Sequence, residues 1–238
     1  MSVDPASYWS DASDPKQIRS WARATRRKMW AWQATIQLTR ALKRATDLLG
    51  GGAALLLLSP IFLVVALLIK KEDGGPIFFG QKRIGEAGRL FRMWKFRSMV
   101  PNADQLKDQL LDQNQYGEEG VNFKMKDDPR ITKIGRFLRK YSLDELPQFY
   151  NVLRGEMSLV GPRPPVVREV QEYNAFHLRR LRARPGITCL WQIGGRSEID
   201  FEGQVRLDLA YMQSAGFWGD LRILLKTVPA VLLGKGAY

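Results

Sequence analysis

The chain has 238 residues, 45% of them hydrophobic, which suffices for one packed domain with appendages. Its net charge of +13 calls for a polyanionic partner: nucleic acid, an anionic membrane face or phosphorylated substrates. A single cysteine, Cys189, and a single histidine, His177, exclude a disulfide framework and argue against a Cys/His zinc site, so chemistry falls to carboxylates with Arg, Lys and a hard metal.

Residues 1–15 carry Asp, Ser and Pro and read as disordered. From Lys16 to Asp47 there is no helix breaker, and Arg19, Arg23, Arg26, Arg27 and Lys28 are mixed with Trp21, Trp30 and Trp32. That mixture suits a helix in the lipid headgroup zone, with an ordinary solvated or partner-bound helix as the alternative.

From Leu48 to Ile69 there are 22 residues without a charge, and 14 of them are Leu, Ile, Val or Phe. At roughly 0.5 kcal/mol each, their insertion into lipid gains about 7 kcal/mol. The segment starts too far along the chain for a cleavable signal peptide. Ser59-Pro60 interrupts it, and a proline in a helix interior costs about 3 kcal/mol. The Ser59 hydroxyl is placed to satisfy a carbonyl freed by that proline. Arg40, Lys43 and Arg44 precede the segment, and Lys70, Lys71, Lys82 and Arg83 follow it. Cationic flanks at both ends put both ends on the cytoplasmic side. A helix-break-helix that enters one leaflet and returns meets both constraints; a kinked spanning helix is the alternative.

Pro76-Ile77-Phe78-Phe79 reads as a short strand and Leu90 to Arg97 as a second, with Lys82-Arg83-Ile84-Gly85 between them in a hairpin. Ala103 to Asp112 reads as a polar helix, Gln113 to Gly120 as a loop and Ile131 to Lys140 as a helix. Phe201 to Leu233 has helical apolar spacing and suits an amphipathic helix pair resting on a membrane. The fold class expected is α+β, mostly α, membrane-associated and monotopic, with a small β-hairpin and a cytoplasm-facing catalytic domain. Its parts are an extension over 1–42, a re-entrant segment over 43–71 and a catalytic domain over 72–238.

Ser142-Leu143-Asp144-Glu145 has the spacing of a capping box, and Pro147 is tolerated in the first helical turn, so Asp144 and Glu145 are placed at a helix N-terminus. Spacing alone favours a helix cap. Arg136, Arg139 and Lys140 before the pair, and Arg163 in Val160-Gly161-Pro162-Arg163-Pro164 after it, turn the locality into a candidate phosphate site. There a carboxylate serves as nucleophile, base or metal ligand. Carboxylate attack on an anionic phosphate meets repulsion of about 4 kcal/mol per charge pair, so Arg and a divalent cation, for which Mg²⁺ is suited, are needed.

Tyr141 to Gln148, Asn151 to Pro164 and Arg184-Pro185-Gly186-Ile187-Thr188 together resemble the bacterial sugar transferases, the monotopic phosphoglycosyl transferases that act on polyprenyl phosphate. The resemblance runs from about Lys43 to Tyr238. It implies a re-entrant helix broken at Ser59-Pro60, on the cytoplasmic face of the bacterial inner membrane. It implies that Asp144 attacks the β-phosphate of a UDP-sugar, releases UMP and carries the phosphosugar until undecaprenyl phosphate accepts it, in the first membrane step of exopolysaccharide, capsule or O-antigen synthesis. It places Glu145 at magnesium beside Asp144 and as an aid to proton removal. Arg139 and Arg163 fall at phosphate-binding positions, and Lys95, Arg196 and Asp208 at further polar positions of the substrate site. Cys189 stands where the family usually has glycine, which concerns the shape of that loop. Some relatives carry extra spanning helices and a middle domain, for which residues 1–42 are too short. The C-terminal sequence resembles the branch that often takes UDP-glucose or UDP-galactose. The partners expected are a UDP-sugar, undecaprenyl phosphate and anionic lipids. Against a nucleic-acid-binding protein, no such motif is present. An inactive scaffold would have lost an acid or arginine, and a lipid phosphatase would release free phosphate without UMP.

Overall fold

Proline is tolerated at a helix start but not in a helix interior, and those two rules set the first two helices of the computed structural model. It describes residues 15–103, 106, 128–195 and 199–233. The expected disorder over 1–15 and the helix and loop over 103–120 fall largely or wholly outside them. Helix α1 runs Pro15–Leu57 and α2 runs Ser59–Asp73, bent by 58° at the break. Pro60 has no N–H to give the carbonyl four residues back, Leu56, and the Ser59 hydroxyl donates to that carbonyl at 2.7 Å. The helix-break-helix and the role of the Ser59 hydroxyl are therefore as expected from the sequence. Gly74, at φ 70°, closes α2, with Lys70 Nζ donating to the Gly74 carbonyl at 2.6 Å. No single described helix is long and apolar enough to cross a membrane, whereas the bent pair qualifies by length and composition.

The chain divides into two compact units, Met1–Lys43 and Arg44–Tyr238. In the first, Trp21, Met29, Trp30 and Trp32 are exposed. In the second, β1 (Phe78–Ile84) pairs antiparallel with β2 (Leu90–Phe96), from Phe78 opposite Phe96 to Ile84 opposite Leu90. The hairpin is as expected, but Lys82, Arg83 and Ile84 belong to β1 rather than to the turn. The reversal lies at Gly85 to Arg89, where Ala87 and Gly88 take positive φ. Helix α3 (Lys133–Lys140) follows, capped by the Thr132 side chain, which accepts from Gly135 N–H at 2.9 Å. A β-carbon at Gly135 would overlap the Ser98 backbone, so this close approach requires glycine.

Beyond α3, helix α4 (Gln148–Arg154) leads to strand β3 (Ser158–Val160). Next come α5 (Val167–Gln171), a 3₁₀ segment (His177–Arg182) and β4 (Gly186–Thr188), which pairs in parallel with β3. The sequence did not reveal this second pairing, because three-residue strands carry no readable alternation. Helices α6 (Leu190–Gly194), α7 (Phe201–Ser214) and α8 (Phe217–Leu233) complete the described chain; the pair read over 201–233 is α7 and α8.

Two apolar cores set these elements. Met93, Val152, Met157, Leu159, Val160, Tyr211 and Ile223 join the hairpin, α4, β3, α7 and α8. Val65 and Ile69 of α2 are buried with Phe96 and Leu138, so one face of the apolar segment packs on the protein itself. Burying each such side chain contributes about 1.5–3 kcal/mol. Leu63, Val64 and Leu67 on the same helix are exposed.

Candidate active site

The acidic pair lies on a tight turn rather than at the start of an α-helix. A 3₁₀ turn, Leu143–Glu145, follows α3 and is entered through Ser142 at φ 52°. The Ser142 side chain makes no cap hydrogen bond; its carbonyl accepts from Glu145 N–H at 3.2 Å. The capping box expected from the sequence does not form. Pro147 stands at the boundary of α4, where its missing donor and fixed φ keep α4 from extending back over the acids. Leu143 and Leu146 pack against the Val65–Phe96 core and fasten the turn from below.

Lys95, on β2, reaches this turn. Its Nζ lies 2.8 Å from Glu145 Oε1 and 3.6 Å from Asp144 Oδ2. Asp144's side chain is 8% exposed and Glu145's 31%. Burial, reinforced by the Glu145 charge, pushes the Asp144 carboxyl above the ordinary aspartate range, against the pull of Lys95 and Arg139. Burial also raises Glu145, but Lys95, then Arg163 and Arg83, outweigh it and leave Glu145 below its usual value. Neighbouring carboxylates with separated titrations suit separate roles.

Arg139, in the last turn of α3, donates to Ser98 Oγ at 3.0 Å and faces the electrostatic field of Asp144. Arg163 is half-exposed on the loop that leaves β3, 4.0 Å from Glu169 Oε1, and acts on Glu145. That loop is fastened on two sides. Arg83 donates to the Pro164 carbonyl at 2.9 Å, and Ile84 N–H donates to the Pro165 carbonyl at 3.0 Å. Gly186 N–H donates to the Pro162 carbonyl at 2.9 Å.

Arg83 corrects its reading as a membrane-flanking charge. It is buried, bonded to Gln81 and Pro164, and acts electrostatically on Glu145. Burial, with Arg163 adding to it, lowers Arg83 to about 9. Strand alternation could not have signalled this, because Arg83 and its neighbour Ile84 are both buried. Asn151 was also missed. Its side chain accepts from Trp94 N–H at 3.0 Å and donates to the Arg92 carbonyl at 2.7 Å, tying α4 to β2 on both sides of Met93, directly before Lys95. No local pattern announces a contact across 57 residues.

Asp208 stands apart from the acidic pair. On α7 it is 1% exposed and ion-paired with Arg180, whose Nη1 donates to Tyr173 Oη at 3.2 Å. Burial lifts Asp208 to about 6, with Arg180 and the Trp191 indole opposing the rise. The same carboxylate raises Arg180 against that residue's own burial. The structure thus places Asp208 as the buried partner of Arg180. Arg163 connects the two clusters, since it shares a shallow recess with Arg180, Ile84, Gly85, Pro162 and Pro165. Arg196 lies outside the described residues.

His177 is buried. Its ring packs against Tyr173 and Phe201, and its Nε2 lies 2.6 Å from Glu202 Oε1. Cys189 is buried, its thiol donates to Gln192 Oε1 at 3.1 Å, and burial pushes it well above the ordinary thiol range. Neither supplies a nucleophile. Among the described residues no three His, Cys, Asp or Glu side chains form a metal cage. Asp144 and Glu145 nevertheless aim oxygens at one cation, the Lys95 ammonium. One or two carboxylates completed by substrate phosphates and water is the donor set Mg²⁺ takes, so these residues fit that ion.

A model of the family described as bacterial sugar transferase matches residues 38–234. The chain is 56% identical over 165 residues to the galactosyl transferase CpsE of Streptococcus agalactiae serotype III (strain NEM316), a match covering 69% of the chain and 36% of that protein. It is 48% identical over 167 residues to the undecaprenyl-phosphate galactose phosphotransferase of Salmonella typhimurium, covering 69% and 35%. It is 46% identical over 167 residues to the exopolysaccharide production protein ExoY of Sinorhizobium fredii, covering 69% and 74%. The matches thus span about a third of the length of the first two relatives.

Proposed function

The chain belongs to the bacterial sugar transferase family, and on that premise we propose that it transfers a hexose 1-phosphate from a UDP-sugar to undecaprenyl phosphate. The convergence of Asp144 and Glu145 on Lys95, within the field of Arg139 and Arg163, carries this reading. An ionised Asp144 oxygen attacks the β-phosphorus of the UDP-sugar. The bond from that phosphorus to the bridging oxygen breaks, UMP leaves with the electron pair, and an aspartyl phosphosugar forms. A phosphate oxygen of undecaprenyl phosphate then attacks the same phosphorus, freeing Asp144 and giving undecaprenyl diphosphate sugar.

Lys95 holds Asp144 ionised against its burial. Arg139 and Arg163 bind phosphate oxygens and offset the repulsion between nucleophile and substrate. Glu145, kept ionised by Lys95, Arg163 and Arg83, would hold Mg²⁺ together with Asp144. Bound there, the ion supplies Lewis-acid neutralisation of phosphate charge. Asp208 keeps Arg180 and the neighbouring loops in place.

The α1–α2 break is the re-entrant hairpin of a protein on the cytoplasmic face of the bacterial inner membrane, and α8 rests on that membrane through Trp218, Leu225 and Val228. Lys16 to Lys43 carries eight Lys or Arg and no acid, a composition for anionic lipids. The galactose-specific names among the relatives favour UDP-galactose, with UDP-glucose next. Purified protein with Mg²⁺, undecaprenyl phosphate and a panel of UDP-sugars tests the reading: UMP appears with one sugar or few. No UMP with any sugar overturns it, and free phosphate without UMP favours a lipid phosphatase.

A further inference from the structure

We infer that Arg44 and Asp47 are positioning residues that set the height of the active site over the membrane and so serve the lipid half of the reaction. The inference rests on the transfer reaction proposed above. The two residues are three apart on α1 and therefore share a face. Arg44 donates from Nη1 to the Val152 carbonyl at 2.6 Å and from Nη2 to the Leu153 carbonyl at 2.7 Å. These carbonyls belong to the last turn of α4, where the helix dipole favours a cation; the Val152 carbonyl also accepts from Gly155 N–H at 3.0 Å. Gly155 closes that turn at φ 81°, and a β-carbon there would stand 3.4 Å from Arg44 Nη2.

Asp47 is 1% exposed, and its Oδ1 accepts from Ser158 Oγ and from Leu159 N–H, each at 2.9 Å. Apolar packing continues the attachment one turn on, where a β-carbon at Gly51 would stand 3.3 Å from Val152 Cγ1. Four charge-assisted hydrogen bonds over less than two turns thus join α1 to α4 and β3.

Those two elements flank the chemistry. Helix α4 directly follows the Asp144–Glu145 turn, and β3 runs into the loop that carries Arg163. On the other side of Asp47 the uncharged segment begins, and α1 continues to the break at Leu58. Residues 44–57 form an arm of roughly 20 Å, so a change of about 10° in its angle moves the end by about 4 Å. An error of 1 Å in placing reactants costs about a hundredfold in rate. The UDP-sugar comes from water and finds its site wherever the site stands. The acceptor phosphate is fixed at the depth of the lipid headgroups, so only this substrate detects the height error.

R44Q and D47N, with R44K as the conservative variant, separate this role from general support of the fold. Single-turnover UMP release without acceptor should stay within about twofold of the parent, while transfer to undecaprenyl phosphate in nanodiscs falls at least tenfold and R44K recovers part of it. Spin labels at Leu57 and Arg154, on a Cys189→Ser background, should give one narrow distance distribution in the parent and a broad or shifted one in R44Q. Equal loss of both half-reactions, or unchanged transfer and distances, overturns the positioning role. No UMP release by the parent protein overturns the proposed reaction itself, and the inference with it.

Discussion

The Lys95 ammonium on β2 donates to Glu145 Oε1 at 2.8 Å, tying the hairpin to the acidic turn. Its charge also bears on Asp144, which burial holds above the ordinary aspartate range. The nucleophile must be ionised, so activity should fall on the acid side through a raised Asp144 value. Removing the cation raises that value further. Lys95→Met should therefore move the acid limb of kcat/KM to higher pH and lower activity at neutral pH by about tenfold or more. A pH profile measured at saturating Mg²⁺ checks this; an unmoved limb would separate Lys95 from Asp144.

Asp144→Asn should abolish the covalent intermediate while preserving the turn, since the amide is isosteric. Intact-mass spectrometry after incubation with UDP-sugar and no acceptor should show one added hexose phosphate on the parent and none on the variant. Persistence of the adduct would place the nucleophile elsewhere.

Chelation should stop UMP release, and added Mg²⁺ should restore it. Glu145→Gln should raise the Mg²⁺ concentration needed for half-maximal activity by about tenfold or more, because an amide oxygen is a weaker ligand for a hard cation than a carboxylate. A titration of activity against Mg²⁺ reads the shift, and coincident curves would remove Glu145 from the ion.

Pro60→Ala should return an N–H to the Leu56 carbonyl and favour a straight helix by about 3 kcal/mol. A cysteine placed at residue 2 should resist labelling from outside intact cells in the parent and become reachable in the variant. Labelling of the parent would refute the re-entrant topology.

Asn151→Ala should leave the Trp94 N–H and the Arg92 carbonyl without their partner and cost about 2–4 kcal/mol. The Tm in detergent should drop together with activity, since the lost contacts hold the strand that carries Lys95. A Tm equal to that of the parent would show that water replaces the amide.

Much of this protein follows from local chemistry. The helix break at Ser59-Pro60 was legible because proline removes a donor wherever the chain goes, and the hydroxyl beside it reaches the freed carbonyl. The hairpin was legible from alternation, and the candidate acids from their company of arginines. Local chemistry was misleading where tertiary constraints prevailed. The Ser-x-x-Glu spacing promised a capped helix, but the left-handed turn at Ser142 and the packing of Leu143 and Leu146 made a 3₁₀ turn instead. Arg83 carried the sign of a membrane flank, yet strand pairing turned it inward beneath the Arg163 loop. His177 stands beside Arg179 and Arg180 in the sequence, yet it is buried against aromatic rings.

The break, the hairpin and the supply of acids and cations follow from the order of residues alone, because each depends on bonds or periodicities within a few residues. Which cation meets which acid, the pairing of Asp208 with Arg180, and the bonds from Arg44 and Asp47 that join the broken helix to α4 and β3 arise only on folding. Those pairings link residues as far as 112 positions apart. Burial and charge select them only after the chain has closed on itself.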